Sequence, residues 1–224
     1  MANLTETSPR VDVVFDRYEQ QSIKSSARSK RSGTGSRPIR HIIDSRDVPM
    51  VVSWKQFIDL PENKANLAQF LSEQLMLRSK TLPGYEVVVS GGFLDTKSVQ
   101  TSAPRDVSSL SSTHEEADTR IILHAAEAFQ QGFERTVVVC RDTDVLLLLI
   151  HFAHELGEEV WFKAGTAKDR RFIQVHKVQL PLNVRENLPA FHAISGCDTV
   201  SQFYGVGKKK SWKVFEDFHS FLII

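Results

Sequence analysis

The chain has 224 residues and a formal net charge of +1, from 28 basic and 27 acidic residues, so its overall charge gives no sign of a polyanionic partner. Hydrophobic residues make up 41% of the chain, enough for one α/β core or a core with an appendage. Cys140 and Cys197 do not support a disulfide framework and favour a reducing compartment. The longest apolar run is shorter than the roughly 20 residues of a membrane helix, and no secretory leader opens the chain. We therefore expect a soluble, intracellular protein without a membrane partner.

The first half of the chain predicts two strands and a helical stretch. Residues 11–15 (VDVVF) are β-branched and apolar, and they predict a short strand that ends at Asp16. Residues 22–50 open with a basic run rich in serine and glycine, which predicts a mobile segment that begins with a short helix capped by Ser22. Further along, the patterns predict helix over residues 51–60 and 66–78, a strand over 85–90 and a loop over 95–112, within which pairing of Val99 and Val107 stays open.

The second half alternates helices and strands. Its patterns predict helices over residues 113–131, 145–156 and 188–195, and strands over residues 136–140, 159–163 and 172–178. This alternation favours a mainly parallel twisted sheet with helices on both faces, a Rossmann-like three-layer α/β fold. Ligands of such sheets lie beyond the carboxyl ends of the strands. Asp16 and Asp142 are therefore expected at the same edge.

Two other acidic segments have structural as well as functional explanations. Thr113 and Glu116 have the spacing of a capping box, and acids in a first helical turn suit the helix dipole. Asp118 lies close to the expected apolar face, where an isolated carboxylate is costly. Asp198 follows a Gly-Cys turn, and a structural role in a turn or as a helix cap explains it as well as a functional role does. The expected apolar face of the helix over residues 113–131 consists of Ile121, Ile122, Ala125 and Phe129.

Glycines and lysines near the end of the chain predict an anion site. Gly205 and Gly207 bracket a turn before the lysines at 208–210, and exposed N–H groups at a helix start beside lysines bind phosphate. A run of three lysines is more commonly a solvated surface. The segment is not a nucleoside-triphosphate loop, because Gln202 and Lys209 stand where that motif requires Gly and Ser or Thr.

Carboxylates that gather without bases raise one another's pKa and cost stability. Bound divalent cations resolve this conflict. Two Mg²⁺ or Mn²⁺ ions about 4 Å apart stabilise both the attacking and the leaving oxygen in phosphodiester cleavage. Basic residues for a nucleic-acid substrate follow the first strand and the last acid. All six acids of these segments are expected near the same edge of the sheet and are the expected metal ligands, namely Asp16, Glu116, Asp118, Asp142, Asp144 and Asp198. The basic residues are Lys24, Arg28, Lys30, Arg31, Lys208, Lys209 and Lys210.

Four segments form a series of motifs: 12-DVVFDRYEQQSIKSSARSKR-31, 116-EADTRIILHA-125, 141-RDTDVL-146 and 196-GCDTVSQFYGVGKKKSWKV-214. In this order they resemble the VFDG…LK…KR, EAEA, DxDxL and GCDY…GIGPKKA motifs of flap endonucleases and related structure-specific 5′ nucleases. These enzymes belong to the PIN-like superfamily, and the similarity is to its divergent asteroid-like branch. The resemblance implies one PIN-like nuclease domain over residues 1–224, with the start of a helix-two-turn-helix at 196–215.

The resemblance also implies roles for individual residues. The six acids would be metal ligands or their neighbours, and Lys24 and Arg31 would steady the scissile phosphate. Arg28, Lys30, Gly205, Gly207 and the lysines at 208–210 would contact the nucleic-acid backbone without reading bases, with an affinity that falls as salt rises. Two features depart from the family. A preceding strand with another metal-binding aspartate is missing, a position that Asp12 does not fill, and the chain ends at Ile224, before further helices. These departures predict a fragment, a truncated gene model or a degenerate copy.

Two functions follow. The first is a metal-dependent nuclease for DNA or RNA with branched or single-stranded ends, in which the ions activate water while Lys24 and Arg31 stabilise the developing charge. The second is a catalytically silent module of the same fold that binds nucleic acid or a protein. The six acids favour the first function, and the missing strand favours the second. The basic cluster 28-RSKR-31 also suits nuclear import, so of the two open intracellular addresses, nuclear and cytoplasmic, the sequence slightly favours the nuclear one.

Overall fold

The computed structural model describes residues 8–18, 39–49, 53–81, 84–166, 169–197 and 205–218. The chain divides into two compact units, Met1–Arg120 and Ile121–Ile224. Each unit contains a three-stranded sheet and helices. The α/β class is therefore confirmed, and the prediction of one domain over residues 1–224 stays a prediction.

The sheet of the first unit has the order β1-β2-β3. Strand β1 pairs with β2 in parallel, and β2 pairs with β3 in antiparallel fashion. The strands are β1 (Arg10–Val14), β2 (Glu86–Ser90) and β3 (Val99–Thr101). The helices are α1 (Trp54–Ile58), α2 (Pro61–Ser79) and α3 (Ala117–Gln130), the last of which continues into the second unit. Within the loop predicted over residues 95–112, the pairing left open at Val99 is present as β3, and a 3₁₀ turn follows at Ser108–Leu110.

Strand β2 is the centre of the first core. Val87, Val88 and Val89 are completely buried, as expected for a strand that has neighbours on both edges and is covered on both faces. Val87 and Val89 pack with Met76 of α2.

Segment 39–43 is tied to α2 by asparagine side chains. The Asn63 amide donates to the Ile39 carbonyl and accepts from the His41 N–H, both at 2.9 Å, and Asn66 accepts from the Ile43 N–H at 2.7 Å. Most of the predicted mobile segment 22–50 lies outside the described residues.

The sheet of the second unit has the order β4-β5-β6. Strands β4 and β5 are parallel, with Arg135 opposite Glu159, whereas β5 and β6 are antiparallel. The strands are β4 (Arg135–Val139), β5 (Glu159–Gly165) and β6 (Arg170–Gln174). The helices are α4 (Thr143–His151), α5 (Leu182–Glu186), α6 (Leu188–Ser195) and α7 (Lys208–Phe218). Among the described helices, none is long and apolar enough to cross a bilayer.

The predicted single, mainly parallel sheet needs correction. The described strands form two sheets, and each sheet has one parallel and one antiparallel pair. The physical reason lies in the connections, because a parallel pair needs a crossover of a dozen or more residues. Residues 91–98 between β2 and β3, and residues 166–169 between β5 and β6, are too few for a crossover. Both connections therefore reverse the chain direction.

Helices α3 and α4 pack with β4 and β5 in the second core. Val145 and Leu149 of α4 and Val160 of β5 are completely buried, and Ile122 and Ala125 of α3 belong to the same cluster. The expected burial of Phe129 on this face is wrong, because that ring is 40% exposed. Several predicted boundaries also shift, since α3 begins at Ala117, a 3₁₀ turn at Ala153–Glu155 follows α4, and another at Val175–Lys177 follows β6.

Gly91, directly after β2, occupies a position that only glycine fits. Its φ is +85°, in the left-handed region. A Cβ atom at this residue would collide with the Phe15 carbonyl oxygen and with the guanidinium of Arg120. The missing side chain therefore makes room for a buried cation at the end of β1.

Replacing Gly91 by alanine should lower the free energy of unfolding by about 3 kcal/mol, because left-handed strain adds to a steric collision. Gly84 provides a matched control, since it has the same φ of 85° and, among the described residues other than its chain neighbours, no atom lies within 4 Å of the point where a Cβ would stand. Gly84→Ala should lose only the strain, about 1 kcal/mol. Urea unfolding of both variants measures the difference. Equal losses would show that the space beside Arg120 is not crowded.

Candidate functional site

Asp16 joins the end of β1 to the start of α3. The Phe15 N–H donates to the Ser90 carbonyl at 2.9 Å, which extends the β1–β2 pairing by one residue. Asp16 Oδ1 then accepts from the Ala117 backbone N–H at 2.9 Å, across 101 residues of sequence. An aspartate at a helix N-terminus satisfies an amide that has no intrahelical partner and interacts favourably with the helix dipole. This contact brings Asp16 to the turn that carries Glu116 and Asp118.

The structural explanation of Thr113 and Glu116 as a capping box is wrong. Helix α3 begins at Ala117, so Glu116 directly precedes it and Thr113 is an exposed residue outside it. A capping box requires its threonine immediately before the first helical residue. Asp16 supplies the acceptor from another part of the chain instead. Asp118 is half-buried in the first turn, where its charge suits the dipole.

Two buried arginines lie beside Asp16. Arg17 and Arg120 are each 2% exposed. The Arg17 side chain donates to Thr96 Oγ1 at 3.0 Å, and its backbone N–H donates to the Glu115 carbonyl at 2.8 Å. The Arg120 guanidinium donates to the carbonyl of Phe15.

Burial lowers the pKa of Arg120 to about 10, Arg17 lowers this pKa as well, and Asp16 opposes both. Arg120 is therefore still charged at neutral pH. Asp16 consequently has a charged basic neighbour in Arg120.

Sequence reasoning missed Arg17 and Arg120. A signal for Arg120 was present in its spacing, because Arg120, His124 and Glu127 stand at i, i+4 and i+7, the pattern of one helix face. All three are buried. Arg17 offered no comparable signal, because its partners are residues 96 and 112–115, far along the chain.

Asp142 and Asp144 follow β4 and open α4. Asp142 is the N-cap residue, with an extended backbone, and its Oδ1 accepts from the Asp144 N–H at 2.9 Å. The Asp142 N–H lies 3.4 Å from Cys140 Sγ. The one-residue spacing of the two aspartates therefore serves a helix cap and a first-turn acid. The structure confirms that both lie at the carboxyl end of a parallel strand.

Asp144 also belongs to a chain of three polar side chains. Its Oδ2 lies 3.1 Å from His192 Nε2, and His192 Nδ1 lies 3.2 Å from Lys208 Nζ. These residues come from α4, α6 and α7. No local pattern links residues 144, 192 and 208, so sequence reasoning missed His192.

The glycine and lysine element is present as a turn and a helix. Gly205 has a φ of +74°, and α7 begins at Lys208. The Gly207 carbonyl accepts from the N–H groups of Lys210 and Ser211, at 2.9 and 3.2 Å. The three lysines at 208–210 are exposed. Other predicted residues lie outside the described part of the chain, namely Lys24, Arg28, Lys30, Arg31 and Asp198.

The described carboxylates do not by themselves assemble a metal centre. Among the residues that the structure describes, no group of three His, Cys, Asp or Glu side chains is arranged to hold an ion. Asp12 accepts two hydrogen bonds from Arg10 at 2.9 Å, so it engages a cation of its own strand. The acids after β1 lie in the first unit and those after β4 in the second. The convergence of all six acids at one edge stays a prediction.

Comparison of the chain with protein-family models, curated proteins and solved structures gave no match.

Asp16→Ala should lower the free energy of unfolding by about 2 kcal/mol, because it removes the acceptor of the Ala117 N–H and the anion beside Arg120. Asp16→Asn keeps an acceptor oxygen and should lose about 1 kcal/mol, from the charge alone. Chemical denaturation of both variants measures these losses.

Asp142 is the matched control, because it caps a helix at an exposed position. Asn and Asp are equivalent at an N-cap, whereas alanine costs about 1 kcal/mol. Asp142→Asn should therefore be neutral and Asp142→Ala destabilising. A gain in stability for Asp16→Asn would show instead that repulsion between carboxylates outweighs the attraction to Arg120.

Proposed function

We propose that the chain is a divalent-metal-dependent, structure-specific nuclease that cleaves phosphodiester bonds of DNA or RNA. One observation carries the proposal. The hydrogen bond from Ala117 to Asp16 joins an acid at the carboxyl end of a parallel strand to a helix start with two more acids. This juxtaposition spans 101 residues of sequence, so it is not an accident of local composition.

Two further features support the proposal. The second parallel pair has Asp142 and Asp144 at the carboxyl end of β4, the end at which ligands of α/β sheets bind. The four motif segments resemble those of the PIN-like 5′ nucleases.

The donors suit magnesium or manganese, because carboxylate oxygens are the ligands that these ions prefer. Asp16, Glu116, Asp118, Asp142, Asp144 and Asp198 would hold the metal. A bound ion would polarise the phosphate and activate water.

The remaining chemistry falls to basic residues of the chain. Lys24 and Arg31 would stabilise charge that develops on the phosphate. The lysines at 208–210 are exposed at the start of α7, where ammonium groups can bind backbone phosphates of any sequence. Affinity of this kind should fall steeply with salt.

A catalytically silent module that binds nucleic acid or a protein is the second candidate. The observation that favours it is that three of the six acids already have structural partners. Asp142 caps α4, Asp144 pairs with His192, and Asp16 lies beside the Arg120 charge. These partners stabilise the carboxylates without a metal ion.

Metal binding is tested by the thermal midpoint in Mg²⁺ or Mn²⁺ against EDTA. A ligand at a hundred times its Kd adds about 2.7 kcal/mol to the free energy of unfolding, which raises the midpoint by roughly 5 to 10 °C in a chain of this size. Asp142→Asn and Asp144→Asn should reduce this rise. Glu155→Gln is the control, because Glu155 lies beyond the opposite end of α4. A wild-type thermal midpoint that does not change when metal is added contradicts the proposal of a metal-dependent nuclease.

Cleavage is tested with labelled 5′-flap, single-stranded DNA and single-stranded RNA substrates. The wild type should cut at least one of them in Mg²⁺, and Asp142→Asn should lower the rate by about 100-fold or more, because electrostatic contributions of this kind are worth several kcal/mol. Glu155→Gln should cut normally. Salt-sensitive binding without cleavage would favour the silent module.

A further inference from the structure

His192 connects the acid at the end of β4 with the lysine at the start of α7. Its Nε2 lies 3.1 Å from Asp144 Oδ2, and its Nδ1 lies 3.2 Å from Lys208 Nζ. The His192 side chain is 15% exposed and that of Asp144 is 31% exposed. One imidazole therefore contacts both a predicted metal ligand and a predicted phosphate-binding cation.

The chemistry of the two partners determines where the imidazole carries its proton. An ionised carboxylate only accepts hydrogen bonds, and an ammonium only donates them. His192 must therefore donate through Nε2 and accept through Nδ1, which is the neutral ring with its proton on Nε2. A doubly protonated ring would set an N–H against the Lys208 ammonium, where neither group can accept.

Aromatic packing holds α7 against α6. The Phe191 ring of α6 lies 5.2 Å from the Trp212 ring and 4.8 Å from the Phe215 ring of α7, between centroids. Phe215 is 4% exposed and belongs to a cluster with Val184 and Leu188. Because α6 carries His192 and α7 begins at Lys208, this packing sets the separation of the imidazole and the ammonium.

We propose that His192 is a positioning residue that holds the Lys208 ammonium for a backbone phosphate of a single-stranded nucleic acid and orients the Asp144 carboxylate with the same ring. The inference rests on the proposed function, because that function supplies the phosphate. Lys208 has three N–H donors. One of them goes to His192, and the other two are donors for phosphate oxygens. A lysine side chain loses considerable rotamer entropy when it is fixed, so holding it in advance strengthens binding.

The test uses the full chain and a fluorescein-labelled oligothymidylate, with affinity measured by anisotropy in EDTA. His192→Asn places its carbonyl oxygen near the position of Nδ1 and retains an acceptor for Lys208. His192→Gln places its amide nitrogen near Nε2 and retains a donor for Asp144 alone. We expect Gln to weaken binding by about tenfold, as for one lost charge-assisted contact, and Asn to bind nearly as well as wild type.

Two lysine variants separate positioning from overall charge. Lys208→Met should weaken binding and reduce the salt dependence by about one phosphate contact. His192→Gln should weaken binding with the salt dependence unchanged, because the ammonium remains. Lys213→Met, an exposed position further along α7, is the charge control and should bind nearly as wild type. Circular dichroism and the thermal midpoint establish that each variant is folded.

Ring ¹⁵N NMR of the free protein at neutral pH provides a second readout, with the His192 signal assigned by its loss in His192→Asn. The signal should show the neutral ring protonated on Nε2. A ring protonated on Nδ1, or on both nitrogens, would overturn the proposal. If His192→Asn and His192→Gln weaken binding equally, His192 has only a packing role. If the wild type does not bind the oligonucleotide, Lys208 has no role in phosphate binding. Since these measurements exclude metal, normal binding without cleavage would overturn the nuclease and leave the His192 assignment in place.

Discussion

The contact between Asp16 and the start of α3 organises the first unit. It closes a loop of 101 residues with one hydrogen bond from the Ala117 backbone, at a helix end where the amide would otherwise have no partner. The contact lies next to Arg120, a buried cation whose charge needs a nearby anion. Gly91 accommodates that guanidinium because it has no side chain. Strand end, helix start and buried cation therefore depend on one another.

This arrangement changes how the acidic residues are understood. A cluster of carboxylates without bases would require metal ions for its stability. Here Asp16 has Arg120 beside it, Asp12 is bound by Arg10, and Asp144 is paired with His192. The fold consequently tolerates these acids in the absence of metal. Their positions at strand ends and helix starts nevertheless suit divalent cations, so stability and metal chemistry are separate questions for this protein.

The second unit arranges its polar groups by helix packing. Helices α4, α6 and α7 contribute Asp144, His192 and Lys208 to one hydrogen-bonded chain. The aromatic contacts of Phe191 with α7 bring the lysine element beside the acid at the end of β4. A lysine run that resembles a solvated surface in sequence thus has one member, Lys208, within hydrogen-bond distance of a histidine on another helix.

Local patterns predicted most of the elements. Strands β1, β2, β4 and β5 and helix α6 lie where β-branched runs and helical periodicity indicated them. The position of Asp142 after a strand was also predictable, because a polar pair that interrupts apolar runs marks a strand end. The helix α5 was missed and the short strand β3 was only an open alternative at Val99, since brief elements carry little periodic signal. The direction of β3 and β6 was decided by connection lengths, which the alternation of elements does not reveal.

The sequence by itself determined the α/β class, the main elements and the local placement of acids at strand ends. These features follow from hydrophobic periodicity among residues only a few positions apart. Only the tertiary structure decided that Asp16 caps α3, that Arg17 and Arg120 are buried beside it, and that His192 links Asp144 to Lys208. These contacts join residues far apart in the chain. Their formation depends on how sheets and helices pack, so the helical spacing of Arg120, His124 and Glu127 indicates a shared face but not the partner of the cation, and nothing in local spacing indicates the cap by Asp16 or the imidazole shared by Asp144 and Lys208.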